Sequence, residues 1–316
     1  MLYGSALMTD ASAAIAAQCG PEQLADAITG FVVRKSGIQA DKVRPVVQGL
    51  ITEAGTDAIL RLQGRLAETT DAFAYYRGDP VARLVHHRLA HVVLRNAPVV
   101  EHAERLTAAH GRPLIIVANH LSYSDANVIE VLLHRSGHAE IADRLAVVAG
   151  PKVYSDVTRR FSSLCFGTIK TPQNEQVSSG EAAMSTRDVA VAARQTLAAT
   201  QARLAAGDAI VLFPEGTRSR SGAMQPFLPG VSRYFEDDDL LIVPVGLIGT
   251  DQMYGIGEGR LGDAALAMMI GPPITAGEVR RRVGDSRRAF VDLLGSEVAK
   301  LLPERYRGAY AEWRKP

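Results

Sequence analysis

Leu114-Ile115-Ile116-Val117-Ala118-Asn119-His120-Leu121-Ser122-Tyr123-Ser124-Asp125 runs straight into Ala126-Asn127-Val128-Ile129-Glu130-Val131-Leu132-Leu133-His134-Arg135. The first five residues form an unbroken apolar run, which predicts a short strand buried on both faces. From Asp125 the apolar residues fall at helical spacing, so a helix is expected over Asp125–Arg135. The polar residues between them sit where a strand ends and a helix begins, the position where α/β proteins tend to place ligands.

The same alternation continues along the chain. Leu145–Ala149, Ala209–Phe213 and Leu241–Leu247 read as further buried strands, with helices expected over Thr186–Ala206, Gly230–Glu236 and Ser286–Leu302. Such alternation argues for an α/β fold, a central mixed sheet flanked by helices. Upstream the texture differs. Pro21-Glu22-Gln23 reads as a helix start, Ile51–Leu66 is helical, and Val81, Leu84, Val85, Leu89, Val92 and Val93 form an apolar stripe before Pro98. No strand is visible between Pro21 and Asn96. The expected organisation is therefore a helical N-terminal module over residues 1–97 and an α/β domain over 98–316. The polar stretch Pro172–Ser185 reads as a surface loop or lid.

Composition narrows the function classes. With 47% hydrophobic and 22% charged residues the chain has the balance of a globular protein. A net charge of +1 gives no global pull toward nucleic acid. Cys19 and Cys165 stand far apart in no metal-ligand spacing, and fit a reducing compartment. Met1–Ala17 lacks a basic start and a continuous apolar stretch, so no signal peptide is expected. The longest apolar runs, such as Ala264–Ile270, fall well short of the ~20 residues that span a bilayer. A cytoplasmic protein is expected, with peripheral attachment to the inner face of a membrane.

Two strings can carry chemistry. In the first, a carboxylate five residues after His120 is within reach of one tight turn. It can accept the N–H of one ring nitrogen, which fixes the tautomer and leaves the other nitrogen free to take a proton. The plain alternative is that Ser124 or Asp125 merely caps the helix. The second string is Leu212-Phe213-Pro214-Glu215-Gly216-Thr217-Arg218-Ser219-Arg220, also at the end of a strand. Gly216 permits a sharp turn, and Arg218 and Arg220 offer forked donors suited to phosphate oxygens. Its plain alternative is a solvated basic turn.

Together the strings resemble the glycerolipid acyltransferase family, typified by 1-acylglycerol-3-phosphate acyltransferases, in which His-x4-Asp precedes a Phe-Pro-Glu-Gly-Thr-Arg-Ser block. Ile242-Val243-Pro244-Val245 resembles a third block of that family, and Gln225-Pro226-Phe227-Leu228-Pro229-Gly230 its link between blocks. The resemblance covers about Val99 to Ile274. It implies O-acyl transfer in phospholipid biosynthesis, with no cofactor beyond a co-substrate, acyl-CoA or acyl-acyl-carrier protein. His120 is then the general base, oriented by Asp125. Glu215, Gly216, Thr217 and Arg218 hold a glycerophosphate or lysolipid acceptor. No Gly-x-Ser-x-Gly elbow is present, in keeping with direct attack on the thioester. A family block that usually carries an Arg for the acceptor phosphate is degraded here to Phe166-Gly167-Thr168-Ile169-Lys170-Thr171-Pro172-Gln173. Lys170 can supply charge there, but not the fork of Arg. That keeps a non-glycerol acceptor open: an amino-alcohol, a lyso-ornithine lipid or a secondary metabolite. A non-catalytic lipid-binding homologue stands as a further alternative.

Weaker signals have two readings each. Arg83, His86, His87, Arg88, His91 and Arg95 make Pro80–Asn96 a basic amphipathic helix, able to lie on an anionic membrane surface. The favoured reading is that its stripe packs on the protein and its basic face is solvated. No metal site is expected from those histidines. Gly257-Glu258-Gly259-Arg260-Leu261-Gly262 reads as a loop, and Asp237-Asp238-Asp239 as a solvated turn. Arg280-Arg281-Arg282 with Arg287-Arg288 reads as a surface patch, with contact to acyl carrier protein as the lesser alternative.

Overall fold

The computed structural model describes residues 20–67, 75–94, 96–150, 153, 157–171, 186–253 and 264–312. Cys19, Arg95, the 172–185 stretch and the Gly257–Gly262 run lie outside them.

In chain order the elements are α1 (Pro21–Ser36), α2 (Ala40–Ala54), α3 (Thr56–Ala67), β1 (Tyr75–Tyr76), α4 (Pro80–Val93), β2 (Val99–Glu101), β3 (Leu114–Ala118), α5 (Asp125–Arg135), α6 (Ala139–Asp143) and β4 (Leu145–Ala149). There follow α7 (Val157–Leu164), β5 (Gly167–Lys170), α8 (Thr186–Ala205), β6 (Ala209–Leu212), β7 (Leu241–Ile248), α9 (Thr250–Met253), β8 (Ala267–Ile270), β9 (Ile274–Thr275), α10 (Ala276–Val283), α11 (Arg287–Ala299) and α12 (Glu304–Arg307). A 3-10 turn, Pro229–Phe235, stands where a regular helix is expected from the sequence.

One mixed sheet runs β1-β5-β4-β6-β3-β7-β8-β2, with β9 beside β7. β5, β4, β6, β3 and β7 are parallel, so all five end on the same edge. Alternate side chains of these strands serve two cores. Leu114, Ile116 and Ala118 join Leu145, Val147, Val211, Val243 and Val245 against α5, including its Ile129 and Leu132. Ile115 and Val117 join Ile210, Leu212 and Ile242 against Phe235 and against Phe290, Val291 and Leu294 of α11. Burial on both faces is what a continuous apolar strand requires.

Short elements escaped the sequence reading. β1, β2, β5, β8 and β9 have two to four residues each, too few to show a period. β1 is therefore a strand within a stretch that reads as wholly helical, and it exists because it pairs with β5.

Helix α4 does two jobs. Its Val85 enters the core of α1–α3, along with Leu24, Val43, Val47, Leu50 and Ile59, while its Ala82 and Ala90 enter the core over α5. The apolar stripe thus packs on the protein as expected. The basic face is not simply solvated, which corrects the reading from sequence. Arg83 Nε lies 2.8 Å from Glu130 of α5, and His87 Nε2 lies 2.9 Å from both carboxylate oxygens. His86 meets the same group at 3.4 Å. Glu130 is completely buried and needs these partners. Three of the basic residues offered to a membrane surface are thereby used inside the chain. Asp237–Asp239 and the arginine patch also meet, because Arg280 is bound to Asp238 and to the Phe235 carbonyl. Among the described residues no helix is long and apolar enough to cross a membrane.

Breaking the buried cluster should weigh far more than breaking an exposed pair. Glu130→Ala is expected to cost about 3 kcal/mol in urea unfolding. Arg88→Ala, whose partner Glu53 is half exposed, should cost less than about 1 kcal/mol. Equal losses would contradict the structural role of the cluster.

Candidate active site

His120 sits two residues beyond β3, at the edge where the parallel strands end. Asn119 fixes the turn. Its side chain donates to the Leu247 carbonyl at 3.0 Å and accepts the Leu247 N–H at 2.7 Å, deep in the protein. Four residues beyond His120, Ser124 occupies the N-cap position of α5 but makes no side-chain cap bond. Asp125, the first helical residue, points back toward the turn instead. Its Oδ2 lies 2.8 Å from His120 Nδ1 and accepts the N–H groups of Leu121 at 2.6 Å and Ser122 at 2.9 Å. The helix-cap alternative for Asp125 thus gives way to a histidine–carboxylate pair. With the Nδ1 proton directed at a fully buried carboxylate, Nε2 is the basic nitrogen. The imidazole stacks on Phe213, with ring centroids 4.3 Å apart and 19° between planes.

The second string wraps the backbone of the first. Glu215 Oε1 accepts the His120 N–H and Oε2 accepts the Gln225 N–H, each at 2.8 Å. The Ser219 N–H donates to the His120 carbonyl at 2.8 Å, and Ser219 Oγ donates to the Ala223 carbonyl at 2.7 Å. Both main-chain groups of His120 are therefore held by the 215–225 loop. Burial pushes the Glu215 carboxyl up to about 7, since it outweighs the two N–H donors, and nearby Asp125 adds to the rise. Gly216 turns the loop at φ +71°, where a Cβ would also fall 2.6 Å from Leu228 Cδ1.

Of the residues singled out from sequence, His120, Asp125 and the Glu215–Arg218 run are brought together. Glu215 is occupied with backbone, so it braces the turn at His120 against the loop at Gln225. Thr217 is half-buried at the turn. The Arg218 guanidinium lies 3.5 Å over the Tyr123 ring and makes no ion pair within the described residues. Lys170 is elsewhere. It ends β5, three strand spacings from β3, or roughly 14 Å at ~4.8 Å per step. It is buried, with Nζ 5.6 Å from the Tyr76 ring centre. Phe213, Ser219, Tyr123 and Gln225 were missed individually as site residues, although the quoted strings contain all four. Their contributions are ring faces and main-chain bonds, which residue type alone does not announce.

The Acyltransferase family model matches residues 97–248, which span both strings and the strands that carry them. Over these residues, just under half of the chain, the sequence is similar to the acyltransferase family. No curated protein matches it in sequence. Among solved structures the chain is similar to the 1-acyl-sn-glycerophosphate (LPA) acyltransferase PlsC from Thermotoga maritima. The two share 16% identity and a TM-score of 0.45 over 87% of this chain and 98% of that one. The matched residues contain the His120–Asp125 pair, Arg218 and Glu215, whereas the segment after Ile248 lies outside the match.

Two of the buried carboxylates, Glu215 and Glu130, should act oppositely on stability. Folding raises the Glu215 carboxyl from 4.5 to about 7. Its contribution is therefore complete below pH ~4.5 and is lost as the pH rises through about 7. At ~1.4 kcal/mol per tenfold in proton affinity, that is about 3 kcal/mol. Burial opposes the charge on Glu130 too, but hydrogen bonds from His86 and His87 and the charge of Arg83 prevail and hold it at about 2. Its contribution is present above pH 4.5 and lost as the pH falls through 2. Unfolding of Glu215→Gln across pH 5–8 is expected to lack most of the wild-type decline, and parallel curves would refute the assignment.

Proposed function

We propose that the protein transfers a fatty acyl group from an acyl thioester, acyl-CoA or acyl-acyl-carrier protein, to a hydroxyl of a glycerophosphate or lysophospholipid. The observation that carries this reading is the 2.8 Å contact between His120 Nδ1 and Asp125 Oδ2, at the edge where the parallel strands end. Nε2 takes the proton of the acceptor hydroxyl as its oxygen attacks the thioester carbonyl. The tetrahedral intermediate collapses with rupture of the C–S bond. The departing thiolate takes the proton from the His120 imidazolium, which leaves an ester and a free thiol. Asp125 orients the ring and stabilises its cationic form. The N–H groups of Thr217 and Arg218 have no partner within the described residues and are donors that the turn after Gly216 leaves open to the oxyanion. Arg218, parked on a ring face rather than on a carboxylate, can move onto an acceptor phosphate.

A second reading, the same chemistry on a non-glycerol acceptor, is favoured by the place of Lys170. Lys170 is buried at the end of β5 beside the Tyr76 ring. It is two strands from β6, whose end leads to Arg218, and three from β3, which weakens it as a second cation beside Arg218.

Thiol release from palmitoyl-CoA, with and without lysophosphatidate or glycerol 3-phosphate, tests both. Stimulation by one of these acceptors is expected, with a loss of about 10²–10⁴-fold in His120→Ala. Asp125→Asn should also lose at least about a hundredfold through the wrong tautomer. Arg218→Ala should raise KM for a phosphorylated acceptor without a matching rise for the thioester. Release that neither acceptor stimulates would move the assignment to the second reading, and an unimpaired His120→Ala would sink the mechanism.

A further inference from the structure

We propose that the segment Leu302–Tyr310, beyond the family-matched residues, positions His120 through a relay of hydrogen bonds in which Tyr310 is the positioning residue. The proposal rests on the reading of His120 as the base.

The relay begins in the C-terminal part of the chain. Tyr310 is buried, and its hydroxyl accepts the Phe227 N–H at 2.7 Å and donates to Asp292 Oδ1 at 3.2 Å. The Tyr306 carbonyl accepts the Met224 N–H at 2.8 Å, and the Ala309 N–H donates to the Met224 carbonyl at 3.0 Å. These contacts clasp the backbone on either side of Gln225, whose own N–H reaches Glu215 Oε2. Glu215 Oε1 then holds the His120 N–H. Tyr306 is anchored in turn, its hydroxyl donating to Asp251 at 3.0 Å and accepting the Gly249 N–H at 3.3 Å just beyond β7.

Close approach is built into the clasp. Gly308 has φ +48°, and a Cβ there would lie 2.1 Å from the Met224 carbonyl oxygen. A Cβ on Gly295 of α11 would fall 2.2 Å from the Tyr310 ring. Apolar packing alone would be served by a phenylalanine at position 310. The hydroxyl is needed because the Phe227 N–H is buried and has no other partner among the described residues. A small displacement of a reacting group is costly: about 1 Å can lower a rate by on the order of a hundredfold.

Tyr310→Phe, examined by steady-state acyl transfer and by amide hydrogen exchange on the full chain, tests the relay. The expected result is a kcat about tenfold lower with KM for donor and acceptor within about twofold. Exchange at the Gln225 and His120 amides should be at least about tenfold faster, with the β4 amides unchanged. If Tyr310→Phe does not fold, Asp292→Ala removes the acceptor that orients the hydroxyl and should give the same pattern at smaller size. A folded variant with wild-type exchange at His120 overturns the relay, whatever its activity. Faster exchange with an unaltered kcat overturns the positioning role. If wild type itself transfers no acyl group, or His120→Ala transfers as well as wild type, the reading of the reaction fails, and exchange at His120 alone decides whether the relay exists.

Discussion

One oxygen of a completely buried carboxylate takes three N–H donors in the turn between β3 and α5. A carboxylate removed from water without such donors would be protonated or would disrupt its surroundings. Here Leu121 and Ser122 supply main-chain donors and His120 supplies the third. The turn closes because the carboxylate needs those donors, and the imidazole orientation follows. The position of Asp125 at the first turn of α5 adds the favourable end of the helix dipole. Strand, turn, helix and ring orientation are therefore one interlocked unit. The strand cannot shift in register without moving Asn119 off Leu247, and the helix cannot rotate without withdrawing the carboxylate.

Glu215 holds the main chain of the same turn. It is also buried, and each of its two oxygens accepts one main-chain N–H, from His120 and from Gln225. Burial pushes its carboxyl up to about 7. The two acids differ in consequence: Asp125 faces the ring nitrogen that sets the tautomer, whereas Glu215 faces only backbone. The loop that carries Glu215 also presents Arg218, so in the proposed reaction acceptor binding and base placement share a scaffold. That scaffold reaches beyond the family-matched residues, through the clasp at Met224 and Phe227.

The helices before the sheet are coupled to the same unit by a different device. Glu130 is on α5, five residues after Asp125, and three basic side chains of α4 converge on it. A completely buried carboxylate so clamped fixes the two helices against each other more specifically than apolar packing would. The cost is dependence on partners, since loss of either side strands a charge. β1 adds a main-chain link by pairing with β5. The α1–α3 bundle is thereby joined to the sheet by a side-chain cluster and a strand.

The sequence by itself determined the long elements and the pairing of His120 with Asp125. β3, β4, β6 and β7 are continuous apolar runs and α5 has a clear helical period, because burial on one or both faces imposes a pattern that a single chain displays. His120 and Asp125 were legible because five residues separate them and one turn joins them. Only the tertiary structure decided what depends on partners distant in sequence. The two-residue β1 exists through β5, and the 3-10 turn at Pro229–Phe235 forms against α11. The basic face of α4 finds Glu130, a partner 43 to 47 residues away. Lys170 and Arg218 are equally plausible cations in the sequence, yet strand order places one roughly 14 Å from β3 and the other on Tyr123. Glu215 reads as a ligand-binding acid, but the fold turns both of its oxygens onto backbone. Strand order and main-chain donors are set by packing between distant segments, and local residue pattern carries no record of them.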